Sequence, residues 1–358
     1  MPPANSPART ATVAPPRRRA PPAPRAARTP SSRDVPPSAL GVRPDPPGGD
    51  IRDAVRASRL ITAIKTPYLP DGRIDLASYD AHVAAQIAAG VDGVVVGGTT
   101  GEGQLMSWDE HVMLIAHTVN VFGSSLVVVG NTGSNSTREA LHATEQGFAV
   151  GMHCALTINP YYGRTSAAGA ERHLEACLDV GPAIVYNVPG RTGQDLGAAS
   201  SLRLAQHPNF VGMKECAGNG RIAELSAAGV TCWSGNDDEF HAGMWHGSGG
   251  AGVISVTSNL VPGLFRRLCD GRDDALAQDL LPMTGWLFHE PNPIPVNTAM
   301  AMCGLSSGVF RAPYVPCTAA ERARGAELLR PWVEGGHVPG ADAVRAMRDD
   351  EFTVLNVW

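Results

Sequence analysis

Three observations in the sequence predict an α/β fold, a (β/α)8 TIM barrel with a C-terminal helical appendage. Eight short apolar, β-branched runs recur at spacings of roughly 20–35 residues, and each is followed by a segment with helical periodicity. The runs are apolar at successive positions rather than alternating, as parallel strands covered by helices require. About 300 residues follow a compositionally distinct N-terminal stretch, a length that one α/β barrel accommodates. A doubly wound open sheet is the alternative, but no G-x-G-x-x-G turn follows the first run.

The runs, in order, are LITAIKTPY from Leu60, VDGVVVGG from Val91, SLVVVGNT from Ser125 and HCALTINPY from His153. They continue with AIVYNVP from Ala183, FVGMKECA from Phe210, VTCWSGND from Val230 and AGVISVTS from Ala251. Between them lie amphipathic segments; Leu76, Tyr79, Val83 and Ile87 fall on one helical stripe. Two helices open with a capping-box pattern, Ser107 to Glu110 and Ser136 to Glu139. From about Leu280 onward the pattern is helical without further strand signals. The expected organisation is a disordered leader over 1–55, a catalytic barrel over 56–280 and a helical region over 281–358.

The leader differs in kind from the rest. Its first fifty residues hold eight arginines against three aspartates, with Pro-Pro pairs and scattered Ser and Thr. Such a segment has too little apolar surface to offset its ordering entropy. Arg/Ser content without early acidic residues reads as an organelle transit peptide. The overall charge is −5, so the body without this +5 segment carries −10. An acidic body argues against nucleic acid or an anionic membrane as partner. No apolar stretch approaches the ~20 residues of a membrane span. The seven cysteines form no C-x-x-C pair, which suits a reducing compartment and excludes a zinc framework.

Only two of the 29 basic residues are lysines, Lys65 and Lys214, and both sit in apolar strand-like runs. Where arginine serves every other positive charge, a retained lysine points to chemistry that a guanidinium cannot perform. An ε-amine can lose its proton and attack a carbonyl to form a Schiff base. Composition alone does not separate the two lysines. In a barrel, reactive groups collect at the C-terminal strand ends. Those ends carry hydroxyls, amides, tyrosines and both lysines, a carbonyl-handling rim without a metal-ligand cluster. Gly97 to Gly103, GGTTGEG, offers backbone N–H groups and paired hydroxyls to an anion. No lysine follows the glycines, which favours a carboxylate over a nucleotide phosphate; a plain glycine-rich turn is the alternative.

GGTTGEGQLMSWDEH, NPYY, YNVPGRTG, VGMKECAGN, WSGNDDE, GVISVTSN and EPNPIPVN occur in this order. Together they closely resemble the dihydrodipicolinate synthase family in its plant or algal plastid form, from about Arg59 to the C-terminus. The resemblance implies a lyase that joins pyruvate to L-aspartate 4-semialdehyde through an imine, in the first committed step of lysine biosynthesis via diaminopimelate. It makes Lys214 the Schiff-base lysine and leaves Lys65 an ion-pair partner. Tyr186 becomes the proton-relaying tyrosine, Thr99 its hydroxyl partner, and Tyr162 the tyrosine lent across a dimer interface. Thr100 matches the binder of the pyruvate carboxylate and Arg191 the binder of the semialdehyde carboxylate, while Gly235 and Ile254 line the pocket. No cofactor or metal is implied, because the imine itself is the electron sink.

A second site is implied for L-lysine as feedback inhibitor, at Gln104, Trp108, His111, Asn135, Glu139 and Tyr161. Glu139 and an aromatic face suit a cationic amino acid. Glu139 also fits a capping position, and His111 could lie on an exposed helix face. A homotetramer in the plastid stroma completes what the resemblance implies. Taken singly, Tyr186 would pass for a core tyrosine and Tyr161–Tyr162 for interface aromatics. His241 and His246 near Asp237 to Glu239 read as an acidic first helical turn rather than a metal site. Gly190, Arg164 and Pro295 depart from common family residues without removing a catalytic group. Two other functions remain open: another class I pyruvate aldolase on the same barrel, and a catalytically silent barrel that senses lysine.

Overall fold

The computed structural model describes residues 50–356. Most of the segment read as a leader, up to Gly49, lies outside the described residues. Its end does not: Asp50 accepts from the Arg52 amide and caps a helix, α1 (Ile51–Ala57), whose Val55 is fully buried. A leader boundary at residue 55 therefore falls inside α1, whose Val55 joins the barrel's interior core.

Eight parallel strands close into a barrel in sequence order. They are β1 (Leu60–Ala63), β2 (Gly93–Val96), β3 (Val127–Asn131), β4 (Cys154–Ile158), β5 (Ala183–Asn187), β6 (Phe210–Glu215), β7 (Cys232–Ser234) and β8 (Gly252–Ser255). The closing pair places Ile61 opposite Ile254 and Thr62 opposite Ser255. All eight runs read from the sequence hold a strand. The helices between them are α2 (Leu76–Ala88), α3 (Trp108–Phe122), α4 (Thr137–Ala149), α5 (Ala167–Val180), a single turn α6 (Pro189–Thr192) and α7 (Ala198–Leu204). Next come α8 (Asn219–Ala227), α9 (Phe240–Trp245) and α10 (Pro262–Asp270).

Side chains fill the barrel from Val129, Leu156, Ile184, Trp233 and Ile254, and α1 closes its lower end, where Trp233 Nε1 donates to the Ser58 carbonyl at 2.6 Å. A second apolar layer, including Leu114, Leu174 and Leu225, joins strands to helices. The capping box at Ser107 is complete, with both reciprocal bonds made. At Ser136 only half of it forms: the hydroxyl caps Glu139, whose carboxylate turns instead to Arg138 at 2.9 Å.

Beyond the barrel lie α11 (Asp274–Leu287), α12 (Ile294–Met302), β9 (Val309–Arg311), α13 (Ala319–Glu334) and β10 (Thr353–Leu355). A boundary at 280 falls inside α11. That helix packs on α12 and α13: Trp286 fills the space over Gly325 and its Nε1 donates to the Glu321 carbonyl at 3.0 Å. The appendage thus starts with α11. It is not purely helical, since β9 and β10 pair in parallel; strands of three residues are too short to leave a periodic signal. Among the described residues no helix is long and apolar enough to cross a membrane, and no group of His, Cys, Asp and Glu could hold a metal ion.

Candidate active site

Lys214 is the penultimate residue of β6, directly opposite Tyr186 of β5 in the ladder. Its amine lies 4.5 Å from the centre of the Tyr186 ring. The lysine is 7% exposed, and burial pulls its amine below the ordinary lysine range; the Arg191 charge pushes the same way, while Cys216 and Asp237 oppose it. Gly235, at the end of β7, makes room for the nucleophile. A Cβ there would lie 2.3 Å from Cys216 Sγ and 3.0 Å from Lys214 Cε. Burial holds the Tyr186 phenol well above its usual range, and the Cys216 thiol donates to its oxygen at 4.0 Å. Ile254, fully buried on β8, packs in the interior cluster that Tyr186 caps.

The β2–α3 loop carries Thr99 and Thr100. Its shape depends on two glycines: Gly97 has φ +65°, and a Cβ there would sit 1.9 Å from His111 Nε2, while one on Gly103 would sit 1.9 Å from the Gly97 carbonyl. Glu102 follows in the left-handed region at φ 57° and is fully buried. Lys65 Nζ pairs with it at 2.9 Å, and Asn297 Nδ2 donates to the same oxygen at 3.2 Å. Lys65 is an ion-pair partner, as the resemblance implied, and the pair ties this loop to the end of β1. Thr99 is half-buried and its carbonyl accepts from the Glu102 amide at 3.1 Å.

Thr100 and Arg191 meet through a residue that the sequence reading passed over. Asn292 Nδ2 donates to the Thr100 hydroxyl at 3.0 Å, and its carbonyl accepts from Arg191 Nη2 at 3.3 Å. Its own Oδ1 is buried without a partner. An asparagine bracketed by prolines in EPNPIPVN was the available signal. Tyr162 is the one predicted catalytic side chain that stands apart: it is 96% exposed, with φ 67°. Among the described residues nothing explains a tyrosine held outward in that backbone region.

The residues of the second predicted site form two groups. Trp108 and His111 stack edge to face at 5.0 Å, and Gln104 Nε2 donates to the Tyr314 hydroxyl at 2.8 Å. His111 is buried behind Gly97 rather than on an exposed helix face, and burial lowers its pKa to about 4. The other group joins Asn135 to the Tyr161 carbonyl at 3.3 Å, with Glu139 exposed nearby on α4. His246 turns to Asp274 at 2.8 Å, and His241 to the same carboxylate at 3.3 Å, away from Asp237. Asp237 accepts the Val256 and Thr257 amides at 3.0 and 2.6 Å.

The sequence and fold are similar to those of known proteins. The sequence profile of the Dihydrodipicolinate synthetase family matches residues 56–331. The chloroplastic 4-hydroxy-tetrahydrodipicolinate synthase 1 of Arabidopsis thaliana is 57% identical over 304 residues, 85% of this chain and 83% of the relative. The chloroplastic enzyme of Nicotiana tabacum is 57% identical over the same share of this chain and 84% of its own. Among solved structures, the chloride-inhibited dihydrodipicolinate synthase of Acinetobacter baumannii complexed with pyruvate superposes with a TM-score of 0.74 at 32% identity, covering 79% of this chain and 100% of that one. The enzyme of Cyanidioschyzon merolae with lysine bound gives 0.73 at 29% identity, covering 76% and 97%.

Proposed function

The chain belongs to the dihydrodipicolinate synthetase family, and we propose that it condenses pyruvate with L-aspartate 4-semialdehyde to 4-hydroxy-tetrahydrodipicolinate by way of an imine on Lys214. It is a lyase and, like its plant relatives, chloroplastic. The observation that carries the proposal is the buried Lys214 amine, depressed below the ordinary range and set over Tyr186.

The chemistry follows from these groups. The neutral Lys214 nitrogen attacks the pyruvate keto carbon, and water leaves as the imine forms. Thr100, held by Asn292, binds the pyruvate carboxylate. The positive imine nitrogen acidifies the methyl group, which loses a proton to the relay of Tyr186 and Thr99. The enamine carbon then bonds to the aldehyde carbon, and the relay returns a proton to the new alkoxide. Arg191 holds the semialdehyde carboxylate. Finally the substrate amine attacks the imine carbon and expels Lys214, closing the ring. The covalent imine serves as electron sink, so these steps invoke no cofactor. Tyr162 would complete the relay from a partner subunit within a homotetramer of paired dimers. L-Lysine would bind as feedback inhibitor at the Trp108–His111 and Asn135–Tyr161 groups, a role supported by the lysine-bound relative.

The test is to compare turnover of aspartate semialdehyde with that of sugar acids cleaved by other pyruvate aldolases. Consumption of the semialdehyde with pyruvate is expected; turnover of sugar acids alone would reject the assignment.

A further inference from the structure

Glu215 is a buried carboxylate that none of the steps above uses. It follows Lys214 on β6 and stands opposite Asn187, in the ladder that also sets Lys214 opposite Tyr186. Successive side chains of a strand face opposite sides, so Asn187 and Glu215 form the next pair, behind the catalytic one. Both are fully buried. Burial lifts the Glu215 carboxyl above the ordinary glutamate range, with the Ala217 amide and Asn187 pulling against it. Among the described residues no basic side chain forms an ion pair with it; Arg221 of α8 pairs with Asp195 instead, at 3.0 Å.

A buried carboxylate without a counter-ion is costly, so its value lies in the hydrogen bonds it accepts. Asn187 Nδ2 donates to Oε1 at 2.9 Å and Oε2 at 3.2 Å, and the Ala217 amide donates to Oε1 at 2.7 Å. Asn187 is fixed in turn: its Nδ2 also donates to Asp195 Oδ1 at 2.7 Å, and its Oδ1 accepts the Leu196 amide at 3.1 Å. The main chain completes the arrangement. The Asn187 carbonyl accepts the Cys216 amide at 3.0 Å, and the Glu215 carbonyl accepts the Gly235 amide at 2.9 Å. Cys216 and Gly235 are the residues set against the Tyr186 hydroxyl and Lys214 Cε. Both flanks of the reacting amine are thus tied to one cross-strand pair.

We propose that Glu215 is a positioning residue for imine formation: clamped to Asn187 across the β5–β6 ladder, it holds the Lys214 amine over Tyr186. The inference rests on the Schiff-base chemistry proposed above and deepens it. Placement of a nucleophile matters steeply, since an error of about 1 Å can slow a reaction about a hundredfold. What the clamp requires at position 215 is an acceptor oxygen rather than a negative charge.

The test removes each half of the clamp and follows borohydride trapping of pyruvate on Lys214 in single turnovers. At saturating pyruvate, Glu215→Ala and Asn187→Ala should each slow imine formation about tenfold or more. The double variant should be little slower than the worse single one, because both act through one contact. Glu215→Gln keeps an oxygen where both donors meet, and should slow the step by less than about threefold. Circular dichroism and urea unfolding of the same samples separate lost folding from lost positioning; where one alanine variant does not fold, the other carries the comparison. An undiminished trapping rate in folded variants, independent losses in the double variant, or Glu215→Gln as slow as Glu215→Ala would each overturn the clamp. If the unmodified enzyme traps no pyruvate on Lys214, the Schiff-base reading falls first and the clamp with it.

Discussion

Lys214 shows why one amine outranks another in the same chain. Both lysines are buried and both have amines pulled down by burial, but Lys65 pairs with a carboxylate at 2.9 Å, whereas among the described residues Lys214 has no ion-pair partner. The scarcity of lysine was legible in the sequence; the choice between the two was not, because it depends on Glu102 folding back over Lys65 from 37 residues away. Asn292 escaped for the same reason, since it gains its meaning from Thr100 and Arg191, both distant in sequence. The depressed amine has a consequence with a definite sign. Only the neutral form attacks pyruvate, so the rate of imine formation should rise with pH and level off at an inflection below the 10.5 of an ordinary lysine. Between the folded and unfolded values the unfolded chain binds the extra proton. Stability should therefore increase as pH rises through that window and fall as pH drops toward the folded value. A pH profile of single-turnover imine formation checks the point; an inflection at or above 10.5 would contradict it.

The β2–α3 loop is where element geometry becomes function. Eight strands could be read from sequence because each is apolar on both faces, and complete burial leaves a strong local signature. The loop's tight form could be read from its glycines, but not its support. That support is a buried pair, Lys65 and Glu102, joined by Asn297 from α12 and set near Arg311 of β9, which also grips Glu110 at 2.5 Å. β9 and β10, invisible in the sequence at three residues each, thus brace the element that presents Thr99 and Thr100. Glu102→Ala leaves the Lys65 charge buried without compensation, a change that typically costs about 3–5 kcal/mol. Urea unfolding should show a loss of that order. A loss below about 1 kcal/mol would mean that the pair does not hold the loop.

At the scale of the whole molecule, a single chain assembles Lys214, Tyr186, Thr100 and Arg191 but leaves Tyr162 in solvent, pinned at φ 67°. A strained, outward tyrosine makes sense if a second copy receives it across a symmetric interface. The sequence marked Tyr162 only through resemblance, since an exposed aromatic in NPYY has no periodic signature. Mixing subunits tests the exchange. Lys214→Arg and Tyr162→Phe chains should each be nearly inactive alone. Dimers formed by refolding them together contain one site with both an intact lysine and a borrowed tyrosine. Random pairing should restore about a quarter of the original activity. No recovery at all would place the relay tyrosine within its own subunit, and full activity of Tyr162→Phe alone would place it outside the mechanism.

The most direct measurement is reduction with borohydride in the presence of isotopically labelled pyruvate, followed by peptide mapping of the labelled chain. Covalent label on the VGMKECAGN peptide at Lys214, and none at Lys65, is the predicted result. An unlabelled Lys214, or label at Lys65 instead, would contradict the central claim that one buried, neutral amine on β6 captures the keto acid.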